Sequence, residues 1–188
     1  MPFSNHPKPE TLKSLINVKP IPFWMDDPEQ PDPANTLTHQ TTADLAIIGG
    51  GFTGLWCALL AKETDPSRDV VLIEGGEAGS GASGRNGGFV SASLTHNFDN
   101  GLERWPKELS KIIQLGKANL DGIEKTIKRF NIDCDFIRSG ELNVATEPYQ
   151  VDQLREEMEM SARYGEKIQI IEQAELQKID KSHINLAG

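Results

Sequence analysis

The chain has 188 residues, 37% of them hydrophobic, and 17 glycines, which is enough for one domain or one and a fraction and too apolar for a wholly disordered polypeptide. Nineteen Lys and Arg against 28 Asp and Glu leave a net charge of −9, so binding nucleic acid by general charge attraction is excluded. No apolar run approaches the ~20 residues of a membrane-spanning helix, and two cysteines, Cys57 and Cys134, make no disulfide framework. A reducing cytoplasm is the expected compartment, with no membrane partner. No secretory signal is expected either: Leu15–Val18 is short and is followed by Pro20 and Pro22.

Residues 1–40 hold eight of the 11 prolines and no glycine. They read as an extended arm without helix or strand period. Phe23, Trp24 and Met25 form an apolar knot within it. The knot suits either a tail packed on the body of the protein or an arm reaching a ligand entrance or a neighbouring subunit.

Residues 41–98 carry the strongest signal, and 12 of the 17 glycines lie between Gly49 and Gly101. Leu45–Ile48 is a continuous apolar run, as expected of a parallel strand buried on both faces. It runs into Gly49-Gly50-Gly51-Phe52-Thr53-Gly54, in which Gly49, Gly51 and Gly54 occupy the positions of G-x-G-x-x-G. A helix follows, with Leu55, Ala58 and Leu59 placed to pack on the sheet and Cys57 expected in the core. Val70–Ile73 is the second apolar strand, and Glu74 ends it.

Each part has a task in dinucleotide binding. Gly49 permits the tight strand-to-helix turn, Gly51 lets backbone approach a pyrophosphate, and Gly54 allows close helix–strand packing. The helix N-terminus offers unpaired N–H groups to an anion. Glu74 is placed to accept bonds from the adenosine ribose hydroxyls and disfavours a ribose phosphate, which argues against NADP. The strand before, the helix after and the acid 20 residues beyond Gly54 are the context this fingerprint requires. No Lys-Ser or Lys-Thr follows the glycines, so a P-loop is excluded.

The next segment separates FAD from NAD. Gly79-Ser80-Gly81-Ala82-Ser83-Gly84-Arg85-Asn86-Gly87-Gly88 stands where a plain NAD domain would start another crossover helix. A loop of five glycines, two hydroxyls, a guanidinium and an amide can present main-chain N–H groups and a cation to a long anionic ligand.

Residues 99–188 change character. Trp105, Leu109, Ile112, Ile113, Leu120, Ile123, Ile127 and Phe130 recur at helical steps, and Pro106 suits a first turn. One long helix is expected, with Gly116 and Gly122 as possible breaks. Glu141–Val144 alternates like a half-buried strand. A second helix starts near Pro148, turns Val151, Leu154, Met158 and Ala162 inward, and stops at Gly165. Ile168–Ile171 reads as a short strand and Gln173–Ile179 as a last helix. Glu156-Glu157-Met158-Glu159 reads as a solvated helix face. His6, His39, His96 and His183 with the two cysteines show no metal-ligand spacing, so no metal is expected. Cys134, between Asp133 and Asp135, lacks a nearby cation to stabilise a thiolate.

Ala43–Glu74 together with Gly79–Gly88 resembles the D-amino-acid-oxidase-like (DAO) FAD-dependent oxidoreductases, in particular the gamma-glutamylputrescine oxidoreductase type. The string Gly81-Ala82-Ser83-Gly84-Arg85-Asn86-Gly87-Gly88 carries most of the resemblance. Ser91–His96, Ile132–Phe136 and Ser139–Pro148 extend it over nearly the whole chain after residue 22. The resemblance implies an α/β fold: a Rossmann-like FAD-binding βαβ unit of the glutathione-reductase-2 type, incomplete here, followed by the start of an α+β substrate domain over 99–188. It implies that Gly49, Gly51 and Gly54 line the FAD pyrophosphate turn with Phe52 and Thr53 beside them, and that Glu74 holds the ribose. Ser83, Arg85 and Asn86 would contact phosphate or the ribityl chain, and Gly87 and Gly88 would face the flavin ring. His96 is a substrate-side candidate, although Asn97 follows it where the family often has glycine. The implied reaction takes a hydride from the carbon next to an amine or amino-acid nitrogen onto flavin. The imine then hydrolyses, and oxygen or another acceptor reoxidises the cofactor. Members of the family are considerably longer, so the chain is expected to be an N-terminal part. Alone it is expected to aggregate and to hold FAD weakly. A non-catalytic flavoprotein piece and an NAD-dependent dehydrogenase are the alternative readings.

Overall fold

The structure is a computed structural model that describes residues 7–180 and Ala187. His6 and His183 lie outside the described residues. Its chain divides into two units, Met1–Phe89 and Val90–Gly188.

The first unit opens with the proline-rich arm, which is less uniform than expected. A five-residue helix, α1, spans Pro9–Lys13, and one 3-10 turn spans Phe23–Met25. Pro9 starts α1 because a first-turn residue needs no N–H partner, and Glu10 and Lys13 suit its two ends. Neither element buries a residue.

Strand β1 is Leu45–Ile48, helix α2 is Phe52–Thr64 and strand β2 is Val70–Ile73. The strands pair in parallel, Leu45 opposite Val70 and Ile48 opposite Ile73. The ladder extends at both ends, where Leu45 N donates to Asp69 O and Gly49 N to Ile73 O, at 3.1 and 2.8 Å. This is the expected mixed α/β unit, with one correction. The sheet has two strands, and α2 packs against it. Ile47 is therefore buried, while Ile48 is 89% exposed, so β1 is not covered on both faces. The same narrow contact leaves Leu55 and Cys57 exposed and Trp56, Ala58 and Leu59 half-buried. Cys57 is thus not a core residue.

In the second unit the expected single helix is two. Helix α3 is Phe98–Arg104 and α4 is Leu109–Phe130. Pro106 causes the break rather than starting the helix. A proline disfavours helical geometry in the residue before it, and Trp105 sits at φ −134°, ψ 51°. Asn97 caps α3, its side chain accepting from Asn100 N at 2.8 Å. Helix α4 runs unbroken through Gly116 and Gly122. Gly116 is buried there, and the Ala92 carbonyl lies where a Cβ would stand. Asn131, at φ 48°, ends α4 in left-handed geometry and lets Ile132 N donate back to Ile127 O.

Helix α5, Pro148–Ala162, starts where expected, on a capping box between Glu147 and Gln150. Gly165 follows at φ +82°. Val151, Leu154 and Met158 are half-buried, whereas Ser161 rather than Ala162 takes the buried position. Helix α6 is Gln173–Ile179. Among the described residues neither expected strand forms: Glu141–Val144 and Ile168–Ile171 belong to no ladder there, and single bridges join Ala145 and Glu172 to Ala187. An alternating pattern makes a strand only where a partner segment runs beside it. Glu157 also departs from the solvated face: it is half-buried. Desolvation first, then the charges of Asp99 and Glu141, push its carboxyl above the usual range.

Candidate functional site

The site in the first unit is built from backbone. Gly49 takes φ +103°, a conformation that side chains resist. The chain thereby turns from β1 into α2 within a few residues. Gly54 lies on the first turn of α2, where a Cβ would collide with the Gly49 carbonyl and touch Ile47 Cγ2 at 3.4 Å. At Gly51, the residue before α2, a Cβ would lie 2.9 Å from Ser83 Oγ. Three glycines at this spacing thus serve one turn, at Gly49, and two close contacts, at Gly54 and Gly51.

Glu74 leaves the end of β2 and reaches the same turn. Its Oε2 accepts from Gly50 N at 2.6 Å, and its Oε1 accepts from Gly76 N at 3.0 Å. These bonds, that from Gly50 foremost, hold its carboxyl below the usual range, so it is ionised at neutral pH. A carboxylate has about four acceptor positions, which leaves capacity beyond these two N–H groups. Gly50, read only as a spacer in the sequence, is a junction. It is buried, its N–H goes to Glu74, and its carbonyl accepts from Gly79 N at 3.0 Å. Nothing in its residue type signals this, since it depends on where β2 ends.

The loop after β2 folds back to the same place. Its centre is a 3-10 turn, Ala82–Gly84, flanked by Gly79 at φ +82° and Gly88 at φ +79°. Ser83 Oγ accepts from Phe52 N at 2.9 Å. Gly51 has no side chain to cap α2, so a serine 31 residues beyond Phe52 does it. Arg85 Nε donates to Ser80 O at 3.0 Å. The Asn86 side chain bridges the loop, with Nδ2 donating to Ser83 O and Oδ1 accepting from Gly88 N. Arg85, Asn86, Gly87 and Gly88 are all exposed.

The structure therefore gathers Gly49, Gly51, Phe52, Gly54, Glu74 and Ser83 at the start of α2, with Thr53 on its first turn. Arg85 through Gly88 form the adjoining rim. His96 belongs to the second unit, where it is exposed at φ +71°. Asn97, which replaces the glycine common in the family, is there the cap of α3. Trp24 and Met25 were not among the expected site residues, yet both lie against the loop. An aromatic knot in the proline-rich arm was the available sign.

Among the described residues, no group of three or more His, Cys, Asp or Glu is placed to hold a metal ion, and no helix is long and apolar enough to cross a membrane. Both cysteines are free.

Known proteins resemble this sequence. The chain is 38% identical over 138 residues to gamma-glutamylputrescine oxidoreductase of Escherichia coli, covering 72% of this chain and 31% of that protein. It is 28% identical over 173 residues to the probable oxidoreductase OrdL of Haemophilus influenzae, covering 88% of this chain and 38% of that one. The probable oxidoreductase OrdL of Rhizobium meliloti is 35% identical over 134 residues, covering 65% of this chain and 28% of that one. The chain thus spans about a third of the length of these relatives. No solved structure matches it significantly. The matched family profile, FAD dependent oxidoreductase, covers residues 44–188, so the chain belongs to the DAO family, whose cofactor is FAD.

Proposed function

We propose that this chain holds FAD in an enzyme that oxidises a C–N bond of a small amine or amino acid. The observation that carries the reading is the convergence of the Gly49–Gly54 turn, Glu74 and Ser83 on the first turn of α2. On this reading β1, α2 and β2 begin a Rossmann-like sheet, residues 41–98 hold the cofactor, and residues 99–188 begin the substrate part. Residues 1–40 form the arm.

The residues fit FAD. A Cβ at Gly51 would press on Ser83 Oγ, so glycine there is what lets the loop close on the start of α2. The N–H groups of Thr53 and Gly54 have no helix carbonyl one turn back. Together with the α2 dipole they suit a pyrophosphate, a contribution of about 0.3–1 kcal/mol from the dipole alone. Glu74, held ionised by Gly50 and Gly76, accepts ribose hydroxyls with its spare lone pairs. Arg85 uses Nε on Ser80 and keeps its terminal nitrogens for phosphate. Ser83 and Asn86 set the loop on which phosphate or ribityl oxygens rest. Gly87 and Gly88 present backbone to the ring system. When bound, flavin supplies the two-electron acceptor for a hydride from the carbon beside the amine. The residues here bind and orient. His96 is the substrate-side candidate. Oxygen or another acceptor completes the cycle, in a reducing cytoplasm that suits two unpaired thiols.

The test titrates FAD, ADP, NAD and riboflavin separately into the cofactor-free protein as its organism makes it and reads tryptophan and flavin fluorescence. FAD and ADP should compete for one site, with riboflavin at least about tenfold weaker because it lacks the pyrophosphate and adenosine. Riboflavin binding as tightly as FAD, or ADP failing to bind, would sink the reading. Amine-dependent peroxide release, measured on the protein as its organism makes it, tests the reaction.

A further inference from the structure

We infer that Trp24 and Met25 are positioning residues: the arm clasps the Gly79–Gly88 loop and sets it in the shape that receives the cofactor. The loop contains five glycines. Such a segment has wide conformational freedom and little apolar surface of its own to anchor it. Its anchor comes from the arm, more than 50 residues earlier in sequence. Trp24 Nε1 donates to the Asn86 carbonyl at 2.8 Å. The indole also lies flush against Gly88, where a Cβ would be 2.5 Å from Trp24 Cζ2. Met25 reaches the other end of the loop, with a Cβ at Gly79 falling 3.7 Å from its Sδ and one at Gly84 falling 3.4 Å from its Cγ.

The clasp is braced on both sides. In the arm, Gln30 Nε2 donates to Trp24 O at 3.0 Å, and the Phe23 ring stands edge-on to the indole at 5.0 Å. In the loop, the Asn86 side chain ties Ser83 O to Gly88 N, and Ser83 Oγ caps Phe52 N. Trp24 is therefore linked through Asn86 and Ser83 to the first N–H of α2. Fixing the loop before the ligand arrives removes an ordering cost from binding. Glycine at 88 answers two constraints at once, a positive φ and the indole face.

The assignment of the loop to FAD rests on the function proposed above; the clasp itself does not. The test compares the protein as its organism makes it with its Trp24→Phe, Trp24→Ala, Met25→Ala and, as a control in the arm, Leu12→Ala variants. Hydrogen exchange of residues 79–88 and tryptic cleavage after Arg85 are read without ligand, and FAD and ADP affinities are read separately. Trp24→Ala is expected to speed exchange and cleavage about tenfold and to weaken FAD several-fold. Trp24→Phe and Met25→Ala should fall between it and the chain, and Leu12→Ala should change nothing. Unchanged exchange in Trp24→Ala would overturn the clasp, as would an equal effect from Leu12→Ala. Faster exchange with unchanged FAD affinity would overturn the positioning role. Failure of the unaltered protein to bind ADP would overturn the site reading and leave the exchange result to decide the clasp. Should Trp24→Ala not fold, Trp24→Phe and Met25→Ala decide it.

Discussion

Among the described residues, Ile47 is the large apolar side chain buried in the unit that ends at Phe89, whereas the unit from Val90 onward buries Leu109 and Leu176 almost completely. The first unit is shaped by backbone meeting backbone: glycines allow a turn, a helix and a loop to converge where side chains would collide. The second is shaped by helices, one of them, α4, markedly amphipathic, whereas α2 is not. A ligand cradle needs exposed main chain, and exposed main chain is what a packed core removes. Two of the carboxylates with displaced titrations mark the same contrast. Glu74 is stabilised as an anion by N–H groups, while Glu157 is destabilised as one by burial and like charge.

Replacing one glycine in each unit is the strongest way to break this contrast. Gly54→Ala forces a methyl onto the Gly49 carbonyl, and Gly116→Ala forces one onto the Ala92 carbonyl. Overpacking of this kind costs about 1–3 kcal/mol. Both variants should lower the denaturant midpoint, but only Gly54→Ala should abolish ADP binding. Equal loss of ADP affinity in both would show that the contrast is not functional.

Glu74 gives the next largest effect, through pH. Its carboxyl titrates below the ordinary 4.5. The anion therefore stabilises the fold fully above that value, and the contribution is lost as pH falls through the lower folded titration. Hydrogen exchange at Gly50 and Gly76 should accelerate relative to unstructured amides as the chain is acidified below 4.5. Glu74→Gln should exchange faster at neutral pH and lack that acid step. An identical acid profile in the variant would remove Glu74 from the turn.

Glu157 supplies the smallest change, of opposite sign. Its titration is raised, so ionisation costs stability, and the fold strengthens as pH falls through the window above 4.5. Glu157→Gln should therefore gain a few tenths of a kcal/mol at neutral pH. A loss of thermal stability in that variant would mean that the carboxylate has a favourable role the burial argument misses.

Several features were readable before folding because they are local. Leu45–Ile48, Val70–Ile73 and the helix between them follow from apolar runs and glycine spacing. Gly49 needs positive φ, and Pro148 with Gly165 bounds a helix, whatever the rest of the chain does. Pro106 was legible too, but ambiguous, since proline both suits a first turn and unsettles the residue before it. Trp105 took the second course.

What stayed hidden depends on partners distant in sequence. Glu141–Val144 alternates, yet among the described residues no strand pairs with it, and the neighbouring Ala145 bridges to Ala187. Cys57 looks like a core residue until the width of the sheet under it is known. Gly50 and Ser83 acquire their bonds only because β2 returns Glu74 and the loop to the start of α2. Dihedral preference and capping act across a few residues and are written in the residues themselves. Burial, charge environment and the meeting of arm and loop are properties of a neighbourhood, which exists only once the chain has folded.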